Sequence, residues 1–202
     1  MDVSCIVLAG GKSTRLGRNK IIETIGNQSL LERVVSCLLS LQSEIIIVAA
    51  RDSSLPELTN YSRLKLVTDI YPERGSLGGL YTGLVNSTSF YNLVVACDMP
   101  FLNLDLLHYM IELAPGFDVV VPKINDVFEP LHAIYSKNCL IPVKSLIERD
   151  RFSILELYPM VKVKHLENVE IDRFDPGHLS FFNINTEADL QAGKELARKG
   201  DF

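Results

Sequence analysis

Two glycines and four cations follow the first apolar run of this chain. Val3–Leu8 is strand-like, and Ala9-Gly10-Gly11 leads straight into Lys12, Arg15, Arg18 and Lys20. A glycine turn at a strand end lets a ligand come close to backbone N–H groups. N–H groups together with several cations suit a polyanion such as a triphosphate. The plainer alternative is a strand-to-loop turn carrying solvated basic side chains. Two well-known phosphate motifs do not apply. A P-loop needs a glycine five positions before Gly11-Lys12-Ser13, and that position is Ile6. Gly10, Gly11 and Gly17 also miss the Gly-x-Gly-x-x-Gly spacing of a dinucleotide fold.

Further along, Asp98 ends the apolar run 93–97. A carboxylate there is partly desolvated and needs a partner. Mg²⁺ is a natural one, since it takes one or two protein carboxylates and fills its other positions with water and phosphate oxygens. A turn aspartate before Pro100 is the competing reading. A second glycine cluster, Gly75-Ser76-Leu77-Gly78-Gly79, sits at a helix start, where a phosphate or planar group can approach backbone. Asp69, just upstream, has the chemistry to accept from a base N–H or a sugar hydroxyl. Asn183 and Asn185 alternate across what reads as one short strand. Their carboxamide oxygens suit a hard cation, or they are turn and cap residues. His132, alone in an apolar strand, reads as a satisfied structural residue.

The elements that must position these groups alternate. Strands are expected at 3–8, 44–50, 64–68, 93–97 and 118–122. Helices are expected at 29–41 with Ser29 as N-cap, at 77–87 and at 103–114. This order predicts an α/β fold with a mostly parallel sheet covered on both faces. Beyond residue 123 the pattern loosens into strands at 129–135 and 160–166 and helices at 137–148 and 186–199. Thr186 caps the last of these, and 198–202 is a frayed tail. Ligands bind outside the carboxyl ends of strands in such sheets. The glycine-basic loop, Asp69 and Asp98 should therefore meet at one edge.

The 202 residues suit one domain. The net charge of −5 argues against nucleic-acid binding, which wants a basic face. Cys5, Cys37, Cys97 and Cys139 form no C-x-x-C pair and read as buried thiols of a reducing compartment. With no run of about 18 apolar residues, and no basic-then-apolar leader, a cytoplasmic location without membrane contact is expected.

The segments, in this order, resemble the molybdenum cofactor guanylyltransferase family within the GT-A-like nucleotidyltransferases. The matching residues are Leu8-Ala9-Gly10-Gly11-x-Ser13-x-Arg15-Leu16-Gly17-x-x-Lys20, Gly75-x-Leu77-x-Gly79 and Cys97-Asp98-Met99-Pro100-Phe101. Glu129-Pro130-Leu131-His132-Ala133-x-Tyr135 and Phe182-Asn183-Ile184-Asn185-Thr186 complete them. The first motif marks the larger group, and its Leu-Ala-Gly-Gly form points to guanine over cytosine. Cys-Asp-Met-Pro selects the family. Ser76 replaces a frequent proline, and Ala50 stands where an asparagine often contacts the nucleotide.

The resemblance implies a single three-layer α/β/α domain over 1–202, with a Rossmann-like nucleotidyltransferase sheet. Residues 1–122 would form the nucleotide-binding half and 123–202 the acceptor-binding half. It implies transfer of GMP from GTP to the phosphate of a molybdopterin-type acceptor, with Mg²⁺ as cofactor and transient contact with molybdoenzyme chaperones. Leu8, Ala9, Gly10, Gly11, Gly75 and Gly79 would meet the nucleotide, and Asp69 would help read it. Arg15 and Lys20 would hold phosphates. Asp98 would bind Mg²⁺, with Asn183 or Asn185 completing the site. Two rivals stay open: another nucleotidyltransferase of this fold, cytidylyl- or sugar-1-phosphate-specific, and a nucleotide-binding accessory protein without catalysis. Residues 123–185 leave little room for large sugar-binding insertions.

Overall fold

The computed structural model describes residues 2–10, 20–51, 53, 55–56 and 63–199, with Lys20 described by its backbone alone. In chain order the elements are β1 (Val3–Leu8), β2 (Thr24–Ile25), β3 (Gln28–Ser29), α1 (Leu30–Leu39), β4 (Ile45–Ala49), β5 (Leu64–Thr68), α2 (Gly75–Asn86) and β6 (Tyr91–Ala96). There follow α3 (Leu104–Leu113), β7 (Val119–Ile124), β8 (Val127–Phe128), β9 (His132–Ser136), α4 (Leu140–Glu148), β10 (Val163–Leu166), α5 (Asn168–Ile171) and α6 (Glu187–Arg198). The main sheet runs β10-β7-β9-β6-β1-β4-β5, with β8 paired to β7. Strands β6, β1, β4 and β5 are parallel neighbours, and β10 is parallel to β7. Only β9 along that path runs the other way, antiparallel to both β6 and β7. The fold is the expected α/β type with a mostly parallel sheet.

Burial on both faces explains the continuous apolar strands. Along β1, Cys5 and Val7 enter one core with Val34 and Leu38 of α1 and Leu106 and Met110 of α3. Ile6 and Leu8 enter the other core, with Leu77, Leu80 and Leu84 of α2 and Val143 of α4. A third, small core of Ile25, Leu30, Phe101, Ile184 and Leu190 docks α6 beside the β2–β3 hairpin. Helix starts follow their side chains. Ser29 and Glu32 form a reciprocal capping box on α1 (3.2 and 2.6 Å), Asn103 caps α3 (2.9 Å), and Thr186 with Asp189 caps α6 (3.1 and 2.8 Å).

Several boundaries differ from the sequence expectation. The strand expected at 129–135 begins only at His132, because residues 129–131 make a turn in which His132 N–H donates to Glu129 C=O (3.0 Å). The strand expected at 160–166 shortens to β10, since 3-10 turns occupy Ile154–Met160. The first turn of the helix expected at 137–148 is also 3-10, over Lys137–Cys139. Asn183 and Asn185 lie on no strand: their segment carries no regular structure and lies outside both sheets. Period-2 side chains alone cannot distinguish it from a strand. The end of the expected frayed tail, 200–202, lies outside the described residues.

Helix α2 presses its glycines against its neighbours. A Cβ on Gly78 would sit 2.3 Å from the Tyr71 carbonyl oxygen, and one on Gly83 2.4 Å from Ile6 Cγ2. Gly75 opens the helix at φ +58 with open space around it. At the other end the Lys137 ammonium donates to the carbonyls of Leu84 and Ser87, where the helix dipole favours a cation. Gly78→Ala should therefore cost about 3 kcal/mol, because a backbone oxygen must move. Gly75→Ala should cost about 1 kcal/mol, from its left-handed backbone alone. Urea unfolding of both variants measures this, and equal midpoints would contradict the close approach.

Candidate active site

The carboxyl ends of four parallel strands are stitched together at one edge. Cys97 N–H donates to Leu8 C=O (3.2 Å), Ala9 N–H to Val48 C=O (2.8 Å) and Asp69 N–H to Ala49 C=O (2.8 Å). Above that edge opens a cleft of about 240 Å³, room for more than one water. From β1 it takes Leu8 and Gly10, and from the ends of β4 and β5 it takes Ala50 and Asp69. The start of α2 adds Gly75, Ser76 and Gly79, and the end of β6 adds Cys97 and Asp98. Leu131, from the turn before β9, closes the list of walls on the far side.

Six residues singled out from sequence thus share one recess: Leu8, Gly10, Asp69, Gly75, Gly79 and Asp98. Ala9 does not join them, because its side chain is buried in the core under the sheet. Gly11 and Arg15 lie outside the described residues, as does the side chain of Lys20. Asn183 and Asn185 are tied to the site from behind, for Ile184 N–H between them donates to Asp98 C=O (3.0 Å). That bond fixes the late segment against the strand end that carries Asp98.

Each polar group has a local explanation as well. Asp69 Oδ1 accepts from Tyr71 N–H (2.9 Å) and from the Thr82 hydroxyl (2.9 Å), clamping the loop after β5 to α2. Its Oδ2 has no hydrogen-bond partner among the described residues. Gly79 owes its missing side chain partly to Leu8, whose Cδ2 would lie 3.2 Å from a Cβ there. Arg74, just before α2, pairs with Asp150 (2.9 Å) and stacks on Phe152. No side chain caps α2, so its first N–H groups face the cleft end without a local acceptor side chain.

Asp98 is 8% exposed. No group of three or more His, Cys, Asp or Glu that could hold a metal occurs among the described residues. Asn183 donates its amide N–H to Phe181 C=O (3.2 Å), which leaves its side-chain oxygen available as an acceptor. One carboxylate with amide oxygens is a hard donor set of the kind Mg²⁺ accepts when phosphates supply the rest. Three of the four thiols offer no alternative. Burial pushes Cys5 and Cys139 up to about 12 and Cys37 to about 11, so they stay protonated.

His132 is fully buried, packed on the Phe181 ring with centroids 4.7 Å apart. Neither ring nitrogen has a hydrogen-bond partner among the described residues. The expectation of a satisfied histidine is thus corrected: packing alone holds it. Burial pulls its pKa down to about 4, which the nearby Asp175 charge only partly opposes. Thr82, Leu131 and Ile184 were not legible as site residues, because their roles arise from contacts distant in sequence.

Comparison with known proteins follows the same line. The MobA-like NTP transferase domain matches residues 5–163. A probable molybdenum cofactor guanylyltransferase of Pelotomaculum thermopropionicum is 31% identical, over 98% of this chain and 94% of its own. A molybdenum cofactor guanylyltransferase of Desulfosudis oleivorans is 31% identical, over 98% and 97%. The crystal structure of molybdopterin-guanine dinucleotide biosynthesis protein A from Archaeoglobus fulgidus superposes with a TM-score of 0.83 at 26% identity, covering 98% of this chain and 100% of that one.

Acid should unfold this protein partly through His132. Its folded pKa lies below the unfolded value of 6.5, so between the two the unfolded chain binds the extra proton. The contribution is complete above pH 6.5 and fades as pH falls toward 4. Between neutral pH and pH 4 that is about 3 kcal/mol. Urea unfolding across this range should show a loss of that order beyond the loss in His132→Leu. Parallel pH profiles for the two proteins would remove His132 as the cause.

Proposed function

The chain belongs to the MobA-like NTP transferase family, and from that premise we propose that it transfers GMP from GTP to the phosphate of molybdenum-loaded molybdopterin, releasing pyrophosphate. The observation that carries this reading is a single cleft holding Asp98, Asp69, Gly10 and the uncapped start of α2. A carboxylate for a divalent ion, a glycine turn and helix N–H groups together are what a nucleoside triphosphate requires.

In the proposed reaction an acceptor phosphate oxygen attacks the α-phosphorus of GTP in line. A phosphorus–oxygen bond forms as the bond to the β-phosphate breaks, and pyrophosphate leaves. The nucleophile is already an anion, so no general base is needed. Repulsion between the anions is the obstacle, and Arg15 and Lys20 are assigned to offset it. Loss of either should cost on the order of 3 kcal/mol in the barrier. Asp98, with Asn183 or Asn185, would hold Mg²⁺, which supplies charge neutralisation at the phosphates. Leu8 C=O and Ala9 N–H are used by the sheet. The nucleotide contacts assigned to this turn therefore fall to the Leu8 side chain, the Ala9 carbonyl, Gly10 and Gly11. Gly75 and Gly79 admit the nucleotide to the start of α2. Asp69 Oδ2 would accept from the base or ribose.

Residues 1–122 form the nucleotide half in this reading and 123–202 the acceptor half. A cytoplasmic location and transient contact with molybdoenzyme chaperones accompany it. Among the described residues no helix is long and apolar enough to cross a membrane.

Asp98→Ala should abolish turnover while GTP still binds weakly. The assay is pyrophosphate release with molybdopterin and each of GTP, CTP and UTP. Wild-type release with GTP alone, lost in the variant, is the expected outcome. Near-normal turnover in the variant would remove Asp98 from the mechanism, and release with CTP in place of GTP would overturn the guanine assignment.

A further inference from the structure

Four hydrogen bonds to its backbone hold the turn before β9. Glu129 N–H donates to Pro122 C=O (3.0 Å), and Glu129 C=O accepts from His132 N–H (3.0 Å). Pro130 C=O accepts from the Tyr135 hydroxyl (2.7 Å), and Leu131 C=O from Ala96 N–H (3.0 Å). Phe128, at its start, packs edge-on to Tyr158 and His165, with centroids 5.3 and 4.9 Å apart. Two groups are left over: the Tyr158 hydroxyl, buried without a hydrogen-bond partner among the described residues, and the Glu129 side chain. The Glu129 carboxylate is half-buried and has no hydrogen bond or ion pair among the described residues. The cation on the neighbouring strand, Lys123, already pairs with Asp126 (2.6 Å). Burial alone raises the Glu129 carboxyl above its ordinary value. A rigid, desolvated carboxylate without a partner costs stability and calls for a ligand donor.

Its place indicates which donor. Leu131, two residues on, lines the same cleft as Asp98. In the sheet order the turn lies by β9 and β7, on the opposite side of β6 from β4 and β5, which carry Ala50 and Asp69. Across Asp98 from the nucleotide side is where the second substrate must enter. We propose that Glu129 reads the acceptor's pterin ring, its two oxygens accepting parallel N–H bonds from the 2-amino-4-oxopyrimidine edge. A carboxylate accepts two such bonds side by side. This rests on the guanylyltransferase reading above. Guanine carries the same edge, and the position of the turn beyond Asp98 selects the pterin.

The test uses the whole chain with GTP and molybdopterin. Glu129→Gln keeps the size but places an amide donor against a ring donor. The KM for the acceptor should rise roughly 10- to 100-fold, with the KM for GTP unchanged and the thermal midpoint no lower than that of the wild type. A second measurement needs only the wild-type protein. A pterin monophosphate should compete with the acceptor at least about tenfold better than its 2,4-dioxo counterpart, which lacks the 2-amino donor. An unchanged acceptor KM, or equal competition by the two analogues, would overturn the role of Glu129 and leave the guanylyltransferase reading standing. A rise in the KM for GTP instead would assign the carboxylate to guanine and overturn the proposal. If wild type forms no product from any nucleotide, the guanylyltransferase reading fails, and this inference fails with it.

Discussion

The backbone bonds from Cys97 to Leu8 and from Ala9 to Val48 are the constraint on which the site depends. They close the ladder where three parallel strands end, with Leu8 beside both Val48 and Ala96. A slip of one residue in either pairing would exchange the side chains that β4 or β6 sends into the two cores, so close packing on both faces holds the register. The same register sets Gly10, Ala50 and Asp98 side by side. Chemistry at this edge is therefore fixed by hydrophobic burial far from any ligand.

Helix α2 gives the cleft its other wall, and its composition reflects two demands. Gly78, Gly79 and Gly83 allow it to lie directly on Tyr71, Leu8 and Ile6. Thr82, between them, ties the helix to Asp69. The absence of a side-chain cap leaves the helix start as a donor surface at the cleft. The glycine-rich stretch is thus explained mainly by packing, and its closeness to the cleft follows from that packing. Asp69 likewise has one oxygen in the fold and one outside it.

Buried polar groups divide the same way. His132 is buried against Phe181, and burial lowers its pKa so that its neutral form is favoured. Asp175, nearby, spends both oxygens on the N–H groups of Leu179 and Ser180 (3.0 and 2.8 Å). Those bonds shape the path that carries Ile184 to Asp98. Glu129 is the carboxylate on this side whose partners the fold does not supply.

The amino-acid order by itself determined the α/β class, the main-sheet strands and the helices of the first 122 residues though not the β2–β3 hairpin, and the strand ends on which Gly10, Asp69 and Asp98 fall. Continuous apolar runs, capping side chains and glycine turns act over a few residues, so they can be read locally. It also carried the family motifs, which the matched domain bears out. Tertiary structure decided the rest. Strand β9 inserts antiparallel between β6 and β7, the asparagine segment meets Asp98 through one backbone bond, and Thr82 reaches Asp69. Burial left the His132 ring and the Glu129 carboxylate without hydrogen-bond partners among the described residues. These outcomes depend on which distant surfaces meet and how much water they exclude, and no local pattern encodes either.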